Sequence, residues 1–176
     1  YFCVNTRGLV IVQMWFLILC LLFAMSVSLS QSDLAAMQEI QKKLNFSSST
    51  VKWSDADPCE WEKGQCELKR VTRIQLVNQN LFGSLSPAVA NLTNLKVLEL
   101  MRNNLTGLVP SLKGLNSLQT LNLGNNQFDS VPSVLFDGLN SLTSVYLDYN
   151  PFKPWSIPAS LQNSISLTTF LAHFSH

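Results

Sequence analysis

A near-identical phrase opens on an apolar residue at Val71, Leu95, Leu118, Leu142 and Leu167, recurring after 24, 23, 24 and 25 residues. Self-similarity at a fixed period of this size constrains a fold more than any local propensity does. In each full phrase apolar side chains return at offsets 0, 3, 5 and 10, and an amide stands at offset 8. Offsets 2–6 alternate, which predicts a short strand whose successive side chains face opposite ways. The inward set is Ile74 and Leu76, Leu98 and Leu100, Leu121 and Leu123, Val145 and Leu147. One unit cannot bury such a row alone. Stacked units share a continuous core and line up their strands as a parallel sheet on a concave side.

The period falls in the window of the leucine-rich repeat. The expected fold is an α/β-type leucine-rich-repeat solenoid, right-handed and curved. Short parallel strands should line the concave face, with 3-10 or irregular chain on the convex side. The units run 71–94, 95–117, 118–141 and 142–166, with a partial one at 167–176. A core facing only part of a fifth unit should make this chain by itself prone to aggregate.

At offset 8 the chain leaves the strand and exposes backbone groups to the core. Asparagine carries a donor and an acceptor on a short stem, so it can satisfy neighbouring turns. Asn103, Asn126 and Asn150 are therefore expected to form an inward ladder. The first unit has Gln79 there, which predicts an irregular turn. Directly after Asn103 stands Asn104, which begins the acceptor sequence NLT. That neighbour should face solvent instead.

A solenoid also needs a cover for its first unit. Residues 31–70 read as that cap. Apolar residues at 34, 37, 40 and 44 make a helical stripe, with Ser32 or Asp33 able to cap its start. Two tryptophans follow, with Cys59 and Cys66 spaced for a local disulfide. Zinc would need two more ligands, and no other cysteine or histidine is near. No metal or cofactor is expected.

Residues 9–29 carry no charge and hold most of the long apolar runs. With Arg7 before them and serines at 26, 28 and 30, residues 1–30 read as a secretory signal peptide, cleaved after Ser28 or Ser30. Only eleven strongly apolar residues run from Met14 to Ala24, too few for a membrane span. Met14 would serve as the initiator, leaving 1–13 untranslated. The chain carries 13% charged residues and a net charge of +1, which gives no basic face for a nucleic acid.

The second unit's L-x-x-L-x-L-x-x-N-x-L-x-G pattern and the segment WSDADPCEW resemble the plant-specific repeat class with its paired-cysteine cap. More narrowly, KRVTRIQLVNQNLFGSLSP, GLNSLQTLNLGNNQFDSVPSVLFDGL and YNPFKPWSIPASLQNSISLTTF resemble the ectodomain start of transmembrane-kinase (TMK-type) receptor-like kinases. The likeness runs from about Asp33 to Phe170. It implies an N-terminal fragment of a receptor with two repeat blocks, one membrane span and a cytoplasmic serine/threonine kinase. It also implies auxin-linked signalling at the cell surface with extracellular protein or peptide partners.

Catalysis finds no support in the residues. Both histidines lie in the last four positions, and no phosphate loop or kinase catalytic loop is visible. Binding is the positive reading, on strand residues that face away from the core: Arg73, Gln75 and Val77; Val97, Glu99 and Met101; Asn122; Tyr146 and Asp148. Arg102 and Tyr149 stand at the rim. Glycan acceptors are expected at Asn45, Asn91 and Asn104. The function expected is an extracellular recognition module, secreted or on the outer side of the plasma membrane as part of a receptor. The other reading is a self-contained secreted repeat protein, such as an inhibitor of a wall-degrading enzyme.

Overall fold

A computed structural model describes residues 15, 18–20, 33–45, 53 and 56–173. Trp15 and residues 18–20 are helical and exposed; the rest of the expected leader, its cleavage point and Met14 lie outside the described residues. Among the described residues no helix is long and apolar enough to cross a membrane.

The cap begins with a helix, α1, over 33–43. Its 3.6-residue periodicity places Met37 and Ile40 on one face, and both are buried with Leu44 beyond its end. Leu34 is half-buried beside them. Strand β1 (Leu44–Asn45) follows directly, and the hairpin β2 (Gly64–Glu67) and β3 (Arg70–Gln75) completes the cap. Cys59 and Cys66 are joined, with Cα atoms 5.4 Å apart. Beside that bond Trp53 and Trp61 are both buried, ring centroids 5.1 Å apart. The indole N–H of Trp53 donates to the carbonyl of Glu62 at 2.7 Å.

The repeats supply β5 (Val97–Glu99), β7 (Thr120–Asn122), β9 (Ser144–Tyr146) and β10 (Thr169–Leu171). With β3 they form parallel pairs in constant register: Ile74, Leu98, Leu121 and Val145 stand opposite one another in turn. β2 closes the cap side of this six-stranded sheet, antiparallel to β3. The repeat strands are three residues long, shorter than the five-residue alternation suggested. The core is one continuous apolar cluster from α1 to the last unit, with leucine contributing most of it.

A second sheet was not anticipated from the sequence. β4 (Phe82–Gly83), β6 (Asn104–Leu108) and β8 (Gln127–Ser130) leave the turn after each concave strand and pair in parallel on the flank. β1 adds to this sheet antiparallel to β4, so the cap covers both sheets. Gly83 makes the junction possible: its φ is +106°, and a Cβ there would lie 2.3 Å from the carbonyl oxygen of Lys43. On the convex side short 3-10 turns carry the return, at Pro87–Asn91 and Ala159–Asn163.

The asparagines at offset 8 knit the turns between the sheets. Asn126 Nδ2 donates to the carbonyls of Leu100, Leu123 and Gly124, and its Oδ1 accepts from Leu105 N–H. Asn150 repeats this one unit on, with the carbonyls of Leu123, Leu147 and Asp148 and the N–H of Phe128. Asn103 donates to Leu76, Leu100 and Met101 and accepts from Gln79 and Leu81. Gln79 donates only within its own turn, to Val77 and Asn78. The strand before its unit is the antiparallel β2, so no equivalent turn precedes it for the side chain to reach.

Candidate functional site

Each ladder asparagine is preceded by a residue in the left-handed region, Arg102, Asn125 and Tyr149 at φ 57, 53 and 54°, and Asn78 before Gln79 has the same backbone at 55°. That backbone suits asparagine, whereas arginine and tyrosine occupy it at a cost of order 1–2 kcal/mol. The turn ends the strand and carries these side chains out to the rim of the concave face. Arg102, Asn125 and Tyr149 are all exposed there.

Met101, Arg102, Asn122, Tyr146, Asp148 and Tyr149 converge on a cavity of about 230 Å³. Gly124 and Asn125 complete its lining. A Cβ on Gly124 would meet Asp148 Oδ1 at 3.0 Å, so the glycine gives the carboxylate its room. Asn122 fixes one wall, with Nδ2 donating to Met101 Sδ at 3.2 Å and Oδ1 accepting from Gly124 N–H. His173 stands beyond Tyr149, ring centroids 6.4 Å apart. The charged ends of Arg102 and Asp148 and the hydroxyls of Tyr146 and Tyr149 have no hydrogen-bond partner among the described residues. A site with an unpaired cation, an unpaired anion and two phenols can hold a dipolar polar segment. It lacks the nucleophile–base pairs that acyl or phosphoryl transfer requires.

The remaining candidates divide. Arg73, Gln75 and Glu99 lie on the same sheet toward the cap, where Gln75 Nε2 donates to Glu99 Oε2 at 2.9 Å, and Val77 stands in the turn after β3. Val97 requires a correction. It is only 7% exposed and cannot serve as a contact, because its short branched side chain stands in register between Arg73 and Thr120. Asn125 was missed by the sequence reading, although its place before a ladder asparagine is a usable signal. The acceptor candidates Asn45, Asn91 and Asn104 are all exposed. On the far side of Arg102 and Asn125 lies a more open recess of about 500 Å³, lined also by Asn78, Asn80, Phe82 and Asn104.

Leucine-rich-repeat family models match residues 94–115 and 110–152. These residues hold the second and third units and the strand and turn of the fourth, whose ladder and cavity have just been described. The chain is built of leucine-rich repeats. The Arabidopsis thaliana receptor-like kinase TMK2 is 43% identical over 164 residues, covering 92% of this leucine-rich-repeat chain and 18% of the relative. The chain thus spans less than a fifth of that curated relative's length. Among solved structures, the leucine-rich-repeat ectodomain of the Arabidopsis receptor kinase SOBIR1 superposes with a TM-score of 0.69 at 28% identity, over 81% of this chain and 79% of that one. The ectodomain of Arabidopsis GASSHO1/SCHENGEN3, solved in complex with CASPARIAN STRIP INTEGRITY FACTOR 2, gives 0.69 at 30%, over 82% and 18%. The likeness is to plant receptor-kinase ectodomains of TMK type, and it falls on their repeats.

Proposed function

We propose that this leucine-rich-repeat chain is the ligand-sensing end of a cell-surface receptor, and that an extracellular peptide or protein segment seats in the concave cavity. One observation carries the reading: Arg102 and Asp148 face one cavity with both charges unpaired among the described residues, beside Tyr146 and Tyr149. Aromatic residues and arginine are enriched where proteins meet, since each supplies area and hydrogen bonding together. The disulfide supports an oxidising, extracellular setting. The auxin-linked signalling implied by the resemblance belongs to the same proposal, as an output of the whole receptor. Likeness to a receptor-like kinase supports this reading over a free inhibitor of a wall-degrading enzyme.

The test is capture by the secreted chain from a library of short synthetic peptides, with and without Glu99→Lys together with Asp148→Lys. Peptides selected by the native chain should carry a basic residue and lose retention on the variant. Equal retention by both would remove the concave face as the docking surface.

A further inference from the structure

Three exposed residues form one row across the flank sheet. Asn45 on β1 is in register with Phe82 on β4, and Phe82 with Asn104 on β6. In-register neighbours in a sheet share a face. The adjoining Leu44, Leu81 and Leu105 are buried, so the row faces outward. Phe82 is 52% exposed. Phe82 and Asn104 also line the flank recess of about 500 Å³, with Asn78, Asn80, Arg102 and Asn125 around them. Those four polar side chains, and that of Asn104, have no hydrogen-bond partner among the described residues. Asn104, Leu105 and Thr106 spell an acceptor sequence for N-linked sugar.

We propose that the flank recess is the seat of a glycan attached at Asn104, whose first N-acetylglucosamine covers Phe82. One face of a pyranose is a sheet of weakly positive C–H groups, which suits the negative face of a phenyl ring. Its edge is hydroxyls and an acetamide, and asparagine amides both donate and accept. The recess supplies this pairing, with one bare ring among amides and a guanidinium. A free sugar would lose its translational freedom on binding; one tethered inside the recess has lost it already. Asn45 flanks Phe82 on the other side, about 10 Å from Asn104 by two strand spacings. It does not line the recess, so its sugar is not the occupant.

The attachment balances as an ordinary transfer from a lipid diphosphate-linked oligosaccharide. The Asn104 Nδ2 forms a bond to the anomeric carbon, the lipid diphosphate leaves with the anomeric oxygen, and the amide gives up one proton. A seated glycan closes the flank and leaves the concave cavity open. Arg102 and Asn125 form the wall between the two, since they line both.

This inference rests on the extracellular reading. Its test is secretion of the full chain from a eukaryotic cell, followed by glycopeptide mass spectrometry and timed release of sugar from the folded protein by a peptide N-glycanase. Asn104 should be occupied. Its sugar should leave roughly tenfold more slowly than that at Asn91, since release tracks the open population. Phe82→Ser, an exposed change checked by thermal melting, should abolish the difference. In the native protein the ring C–H proton signals of one N-acetylglucosamine should be displaced upfield by the phenyl ring, and Asn45→Gln should leave them in place. Equal release rates, undisplaced sugar-ring C–H signals, or an empty Asn104 beside occupied Asn45 or Asn91 would each overturn the seat. Sugar at none of the three in a chain retained by the cell would overturn the extracellular reading with it. The peptide-capture experiment stands or falls separately.

Discussion

Arg70 closes on Asp33 across the cap with two hydrogen bonds of 2.9 Å, Nε to Oδ2 and Nη2 to Oδ1. The same Oδ2 accepts the N–H of Val71 at 2.9 Å, and Asp33 is fully buried. The sequence offered Asp33 only as a possible helix cap. In the fold its carboxylate binds α1 to the first residue of the solenoid. Removing one partner of a buried pair leaves an uncompensated charge and costs about 3–5 kcal/mol. Asp33→Ala should therefore lower the unfolding free energy obtained from a urea titration by that amount. High salt should reproduce little of the loss, because a buried pair is weakly screened.

Asn126→Ala should strand the N–H of Leu105 and the carbonyls it now satisfies, all within the core. Each orphaned buried group costs about 1–3 kcal/mol, so a loss of roughly 3 kcal/mol or more is expected. A melting point lowered by about 6–12 °C would report it. Asn104→Ala lies at the exposed start of β6 and should leave the melting point of the unglycosylated chain almost unmoved.

Two glycines separate conformational strain from collision. Gly83 and Gly107 both have positive φ, +106° and +82°. A Cβ at Gly83 would strike the Lys43 carbonyl, while one at Gly107 would meet nothing within 4 Å. Gly107→Ala should cost about 1–2 kcal/mol, the strain alone. Gly83→Ala should cost clearly more and weaken the β1–β4 pairing, visible as faster amide exchange at Ser84, whose N–H is bonded to Lys43. Equal costs at the two sites would contradict this.

Replacing Cys59 and Cys66 by serine opens a short loop in the cap. The chain-entropy treatment gives a loss of about 2.5 kcal/mol for a ring of this length. The fluorescence transition of the buried pair Trp53 and Trp61 should then fall at lower denaturant than in the native chain.

The repeat was legible because its physics is one-dimensional. Leucines at fixed offsets have to be buried by a neighbouring copy, and Asn103, Asn126 and Asn150 stand wherever a turn meets that core. The helix of the cap was legible for the same reason, in the spacing of Met37, Ile40 and Leu44. The flank sheet was not. Phe82–Gly83 and Asn104–Leu108 carry no strong strand pattern; they pair because consecutive turns deliver them side by side at one height.

The candidate site shows the same division. Offset alone selected Glu99, Met101, Tyr146 and Asp148, since alternation in a strand settles which side chains avoid the core. It selected Val97 as well, wrongly, because burial on the concave face depends on the neighbours across two strand gaps. Which of these residues share a cavity follows from the left-handed turns at Arg102, Asn125 and Tyr149, conformations that arginine and tyrosine do not announce. Asn45, Phe82 and Asn104 lie far apart in the chain, and only strand register brings them into one row. Spacing within a unit determined what is inside and what is outside. Register between units decided which outside residues meet, because contacts across a stack depend on how each copy is set against the next.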